Sequence, residues 1–144
     1  LITVAALLFA AICAEAQEYK VVTVVESIVP MGLGRSRIIE PGETANSEAA
    51  TTERTEGKDS DMGKVRRKDL KIDDFKETKL LNFYSGVGIN FQNIASNDAL
   101  ISDRISGLAK DGWKLVFVTS GVESDAGEKD GNGIYITRFI FQRD

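Results

Sequence analysis

The sequence predicts an α+β domain. One antiparallel sheet of three to five strands carries a single helix on one face, in the order β-(β)-(β)-α-β-β. Three observations predict it. Residues 18–29, EYKVVTVVESIV, are dominated by β-branched side chains with apolar residues at alternate positions. Residues 97–111 repeat apolar side chains at helical spacing, through Ile101, Ile105 and Leu108. The chain then closes with two alternating, aromatic-rich runs joined by a segment rich in Gly and Asp.

Residues 18–29 carry apolar side chains on both faces, which suits a central strand covered on both sides for part of its length. Pro30 ends that strand, and Gly32 and Gly34 turn the chain. Residues 35–40 suit a short second strand before Pro41, and residues 78–85, TKLLNFYS, suit another. In the helix, Ser96 or Asn97 caps the free N–H groups and Asp98 suits the positive end of the dipole. Gly112 is placed for a left-handed C′ position, which brings Trp113 onto Leu108 in a Schellman ending. Gly107 inside the helix costs about 1 kcal/mol relative to Ala, and it reads as a close-approach point against the sheet. The first closing strand, residues 113–120, places Trp113, Leu115, Phe117 and Thr119 on one face by simple alternation. The last, residues 134–143, places Tyr135, Thr137, Phe139 and Phe141 on one face.

Residues 1–16 form an apolar run that ends in Ala14-Glu15-Ala16. The run is shorter than the roughly 20 residues of a bilayer-spanning helix. It fits the apolar core of a secretory signal, with cleavage before Gln17. No Met and no basic residue precede Leu1, so the basic n-region of such a signal lies outside the sequence as given. The expectation is an exported protein, periplasmic or extracellular, with no stable membrane span once residues 1–16 are removed. Acylation of Cys13 would make it a lipoprotein, but Ile12 is larger than the small residue that usually precedes such a cysteine. A short apolar run is also compatible with a helix of the core. Cys13 is the sole cysteine, so no disulfide forms within the chain.

Residues 17–144 then make one domain. The formal charge of the whole chain is −4, which opposes nucleic-acid binding. Residues 42–77 are set apart as a flexible polar insertion. An acidic part around Glu43, Glu48, Glu53, Glu56, Asp59 and Asp61 is followed by a basic part around Lys64, Arg66, Arg67 and Lys68. The acidic part has no aromatic or branched aliphatic side chain with which to offset its ordering entropy.

Chemistry is sparse. The chain has no histidine, which removes the commonest general base and metal ligand. No nucleophile motif is present, so no catalytic residue is assigned and no cofactor is expected. Met31-Gly32-Leu33-Gly34 begins like a dinucleotide fingerprint, but Arg37 stands where the third glycine belongs and Pro41 follows too soon for a helix. Arg35 and Arg37 remain as a candidate anion site, although a tight turn with two solvated arginines is the better account of them. Asp125, Glu128, Asp130 and Asn132 form half of a calcium loop; Phe139 stands where the closing bidentate Glu belongs. Residues 86–94 are too apolar for an ordinary loop and too rich in Gly and Asn for a regular strand. Asn90, Phe91, Gln92 and Asn93 are therefore a candidate recognition surface.

Tyr19-Lys20-Val21-Val22, the helix end Leu108-Ala-Lys-Asp-Gly-Trp113-Lys-Leu-Val116 and the closing Tyr135-x-x-Arg138 together resemble a family of small bacterial domains of unknown function. The resemblance covers most of residues 18–40 and 78–143. Val25-Glu-Ser-Ile-Val-Pro30 and residues 86–94 are similar to exported members with an insertion after the first hairpin. The resemblance implies the fold and no activity. The expectation is a non-catalytic exported domain that binds an envelope protein or itself, through a sheet edge and residues 83–94. The alternative is a module for a small anion or calcium, and the third reading is an enzyme without His or Cys chemistry.

Overall fold

The computed structural model describes residues 16–29, 35–123 and 133–144. Its strands are β1 (Glu18–Ser27), β2 (Arg37–Pro41), β3 (Arg54–Thr55), β4 (Asp59–Ser60), β5 (Phe75–Lys79), β6 (Tyr84–Ser85), β7 (Gly88–Ile89), β8 (Lys114–Glu123) and β9 (Ile134–Arg143). Its α-helices are α1 (Arg67–Leu70) and α2 (Phe91–Lys110). The main sheet has five strands in the order β5-β2-β1-β9-β8, and every pairing in it is antiparallel. With α2 laid across one face, this is the α+β architecture the sequence predicts.

Alternation along β1 and β9 builds the core. Val22 and Val24 on β1, Ile38 on β2 and Phe141 on β9 are buried, with Leu108 of α2 and Trp113 just after it. Ile101 and Ile105 of α2 and Phe139 of β9 pack against that cluster. The opposite face of the sheet has no helix among the described residues. Val21 is exposed there, and Thr23 and Val25 are half-buried. The strand β1 is central, as its composition implies, and its far face passes from exposed at Val21 to buried at Ser27.

The helix ends as its sequence dictates. Gly112 takes a φ of +86°. The Trp113 N–H donates to the Leu108 carbonyl at 3.0 Å, and the Gly112 N–H donates to the Ala109 carbonyl at 3.1 Å. That is the Schellman pair of bonds. Its start differs from the sequence reading. The helix begins at Phe91, with Asn90 as N-cap, and Asn97 lies buried along it rather than capping it. Gly107 is not a close approach to the sheet: a Cβ there would meet only the Arg104 guanidinium, at 3.8 Å.

Two strand boundaries also move. Residues 78–85 do not form one strand; β5 ends at Lys79 and a separate hairpin, β6 with β7, follows. The polar insertion is bounded by Gly42 and Asp74, because β5 already begins at Phe75. Its ends are pinned where the Gly42 N–H donates to the Asp74 carbonyl at 2.8 Å. A Cβ on Gly42 would lie 2.8 Å from that carbonyl oxygen, so only glycine fits this closure. Between these ends lie the β3–β4 hairpin, α1 and two short 3₁₀ turns, and no residue of the segment is buried. That agrees with a composition that offers the core nothing.

Candidate functional site

The edges of the main sheet differ in kind. Along β5 the sequence is FKETK, with Lys76 and Lys79 on the outermost strand. Charged side chains, Lys above all, protect an edge against pairing with another chain. Along β8 the sequence is KLVFVTSGVE, with no charged residue and no proline between Lys114 and Glu123. Among the described residues β8 pairs only with β9, and all ten of its residues are exposed. Leu115, Val116, Phe117, Val118 and Val122 all show apolar surface, and Phe117 is 60% exposed. A long, apolar, unpaired edge is a template for a further strand.

The faces of β8 follow from its register with β9. Leu115 pairs with Phe141 and Val118 with Phe139, so both lie on the helix side of the sheet. Phe117 pairs with Ile140 and Thr119 with Arg138, on the open side. A bulge at Val116 produces the switch. Simple alternation places Leu115, Phe117 and Thr119 together, and the bulge separates Leu115 from the other two.

Arg37 forms an ion pair with Glu77 across β2 and β5, and Arg35 is exposed just before β2. The Arg37 charge is thus already answered within the sheet. The calcium candidates Asp125, Glu128, Asp130 and Asn132 lie outside the described residues, as do residues 1–15 and Gly32 and Gly34. Among the described residues no group of His, Cys, Asp and Glu side chains is placed to hold a metal. The recognition candidates divide. The Asn90 side chain accepts the Asn93 N–H at 3.1 Å, and the Asn93 amide donates to the Asn82 carbonyl at 2.9 Å, so both hold the chain in place. Phe91 and Gln92 are exposed. In the hairpin just before Phe91, Val87 is 99% exposed and Ile89 is also exposed.

Several polar groups are paired inside the fold. Glu40 is 6% exposed and receives a two-pronged guanidinium contact from Arg104 on α2. That pairing raises the Arg104 pKa further. Glu26 accepts the Asn97 amide at 3.1 Å. Burial pushes its carboxyl pKa up, the Asn97 hydrogen bond pulls it back in part, and the nearby Asp98 charge adds to the rise. Trp113 has the Lys20 ammonium 4.7 Å and the Arg143 guanidinium 4.4 Å from its ring centre. None of these groups sits beside a nucleophile with a base in reach. A cleft of about 730 Å³ lies between the start of the insertion and β1, lined by Tyr19, Val21, Thr44, Ile72 and Trp113 among others.

The register of β8 carries a signal that sequence reasoning misses. The uninterrupted apolar run between Lys114 and Glu123 is visible in the sequence, whereas its position at the edge is not. Among the described residues no helix is long and apolar enough to cross a membrane. No protein-family model, no curated protein and no solved structure matches the chain.

Proposed function

We propose that this chain is an exported, non-catalytic domain of the periplasm or cell envelope that binds protein through the free edge of β8. The observation that carries the reading is the contrast between the two sheet edges: β5 is guarded by Lys76 and Lys79, and β8 has no guard between its end residues. A further strand laid on β8 would find unpaired backbone groups along the edge and apolar side chains on either side of it. The apolar leader with its Ala-x-Ala ending supports export, and the resemblance of residues 25–30 and 86–94 to exported bacterial domains is in keeping with it. The absence of histidine, and of any cysteine beyond Cys13, supports a binding role over catalysis. Val87, Ile89 and Phe91 are further exposed apolar side chains that a partner would reach.

The test is a photoreactive benzoylphenylalanine at Phe117, introduced in the cell that makes the protein. The expected result is a covalent adduct, with no adduct from the same group at Lys79 on β5. Absence of any adduct at Phe117 would overturn the reading. Loss of the leader from the purified product, read by mass spectrometry, tests export separately.

A further inference from the structure

We propose that the strand that docks on β8 is β8 of a second copy, joined antiparallel about a two-fold axis at Thr119. This rests on the reading of β8 as a docking edge and names its occupant. Face, shape and charge specify one register.

Face comes first. In an antiparallel pair, residues directly opposite each other point to the same side of the sheet. On β8, Leu115, Val118, Ser120 and Val122 lie on the helix side, and Lys114, Phe117, Thr119, Gly121 and Glu123 lie on the open side, as their β9 partners show. Setting Thr119 opposite Thr119 of the second copy satisfies this rule along the whole strand. Val118 then meets Ser120, and Phe117 meets Gly121. Past the bulge at Val116, Leu115 meets Val122 and Lys114 meets Glu123. Without the bulge the last two pairs would join opposite faces.

Shape agrees with this register. Phe117 is 60% exposed, and a Cβ added at Gly121 would meet nothing within 4 Å. The pairing lays each exposed aromatic ring over the bare glycine of the other strand, a combination that stabilises glycine in sheets. Charge agrees as well. The only charged residues of β8 are Lys114 and Glu123, and the two-fold brings each Lys onto the opposite Glu, once at either end. A shift by two residues in the direction that centres Ser120 sets Phe117 against Glu123 and leaves Lys114 without its carboxylate. The result is a continuous sheet of two five-stranded halves with both helices on one side. The β5 edges with their lysines are left outermost, which closes the assembly at two copies.

The test uses the full chain with Cys13→Ser, so that any added cysteine is unique. Thr119→Cys stands opposite its own copy across the axis, at a Cα spacing that a disulfide accepts. Mild oxidation is expected to yield a linked dimer, while Lys79→Cys on the far edge stays monomeric. Light scattering on the chain with Thr119 intact is expected to give a dimer. Thr119→Lys sets two ammonium groups face to face and is expected to weaken it about tenfold or more. Lys114→Glu is expected to weaken the dimer about fivefold, with recovery when Glu123→Lys is added. A monomer in light scattering with no linked Thr119→Cys product overturns the proposal. So does a dimer that Thr119→Lys leaves untouched. In either case a Phe117 adduct with a different protein leaves the docking reading standing, and no adduct at all removes both.

Discussion

Asn97, fully buried on α2, binds Leu81 twice: its side-chain oxygen accepts the Leu81 N–H at 2.8 Å, and its amide donates to the Leu81 carbonyl at 2.8 Å. The same amide also reaches the Glu26 carboxylate. One side chain thereby satisfies a stretch of backbone that has left β5 and has not yet reached β6. It also ties that stretch to both the helix and β1. Asn97→Ala leaves the part-buried Leu81 N–H and carbonyl without that partner. The expected loss is about 2–3 kcal/mol of stability, read by urea unfolding. Asn97→Asp keeps the acceptor and loses the donor, and it sets a second carboxylate against Glu26, so it is expected to be no better than Ala at neutral pH.

Glu40 and Arg104 join β2 to the middle of the helix from opposite sides of the core. Arg104→Met removes the cation and leaves the Glu40 carboxylate buried alone. That is expected to cost about 3 kcal/mol. Adding Glu40→Gln removes the orphaned charge, so the double variant is expected to recover a large part of the loss. Denaturant midpoints of the two single variants and the double variant check this.

Glu26 sets a pH dependence. Its carboxyl pKa in the folded chain is raised above the ordinary 4.5, chiefly by burial. The folded state therefore holds this proton more tightly than the unfolded chain does. The contribution is fully present below pH 4.5 and is lost as pH rises through the folded value. Glu26→Gln keeps an oxygen for the Asn97 amide and removes the charge. It is expected to stabilise the protein at pH 7, with the gain vanishing in acid. Thermal unfolding of both proteins from pH 4 to pH 7 measures the difference, and a gain that does not change with pH would contradict it.

Two glycines near the helix end have opposite expected effects. Gly107 is helical, with only the mobile Arg104 side chain near its missing Cβ, so Gly107→Ala is expected to stabilise by about 1 kcal/mol. Gly112 holds a left-handed conformation at φ +86°. There Gly112→Ala is expected to destabilise by about 1 kcal/mol through backbone strain alone. Melting temperatures of the two variants should shift in opposite directions.

The two ends of α2 show what a sequence carries and what it hides. The stop at Gly112 and Trp113 was legible because the left-handed glycine and the 113-to-108 bond are local chemistry. The start was not. Asn97 has the side chain of a cap, yet its partners are Leu81 and Glu26, far away in sequence. The true cap, Asn90, follows a Gly-rich hairpin that reads as a loop. Among the candidate recognition residues, Asn90 and Asn93 proved to be internal fastenings, and only Phe91 and Gln92 remain on the surface.

By itself the sequence determined the elements whose rules are local: the β1 and β9 strands with their alternation, the helix stop, and an insertion too polar to join the core. Tertiary structure alone decided three things: that β8 is the last strand of the sheet among the described residues, that Val116 bulges and splits Leu115 from Phe117, and that Asn97 is buried. Each depends on which strand lies beside which. Hydrogen-bond register between distant segments sets that order, and alternation within one segment cannot reveal it.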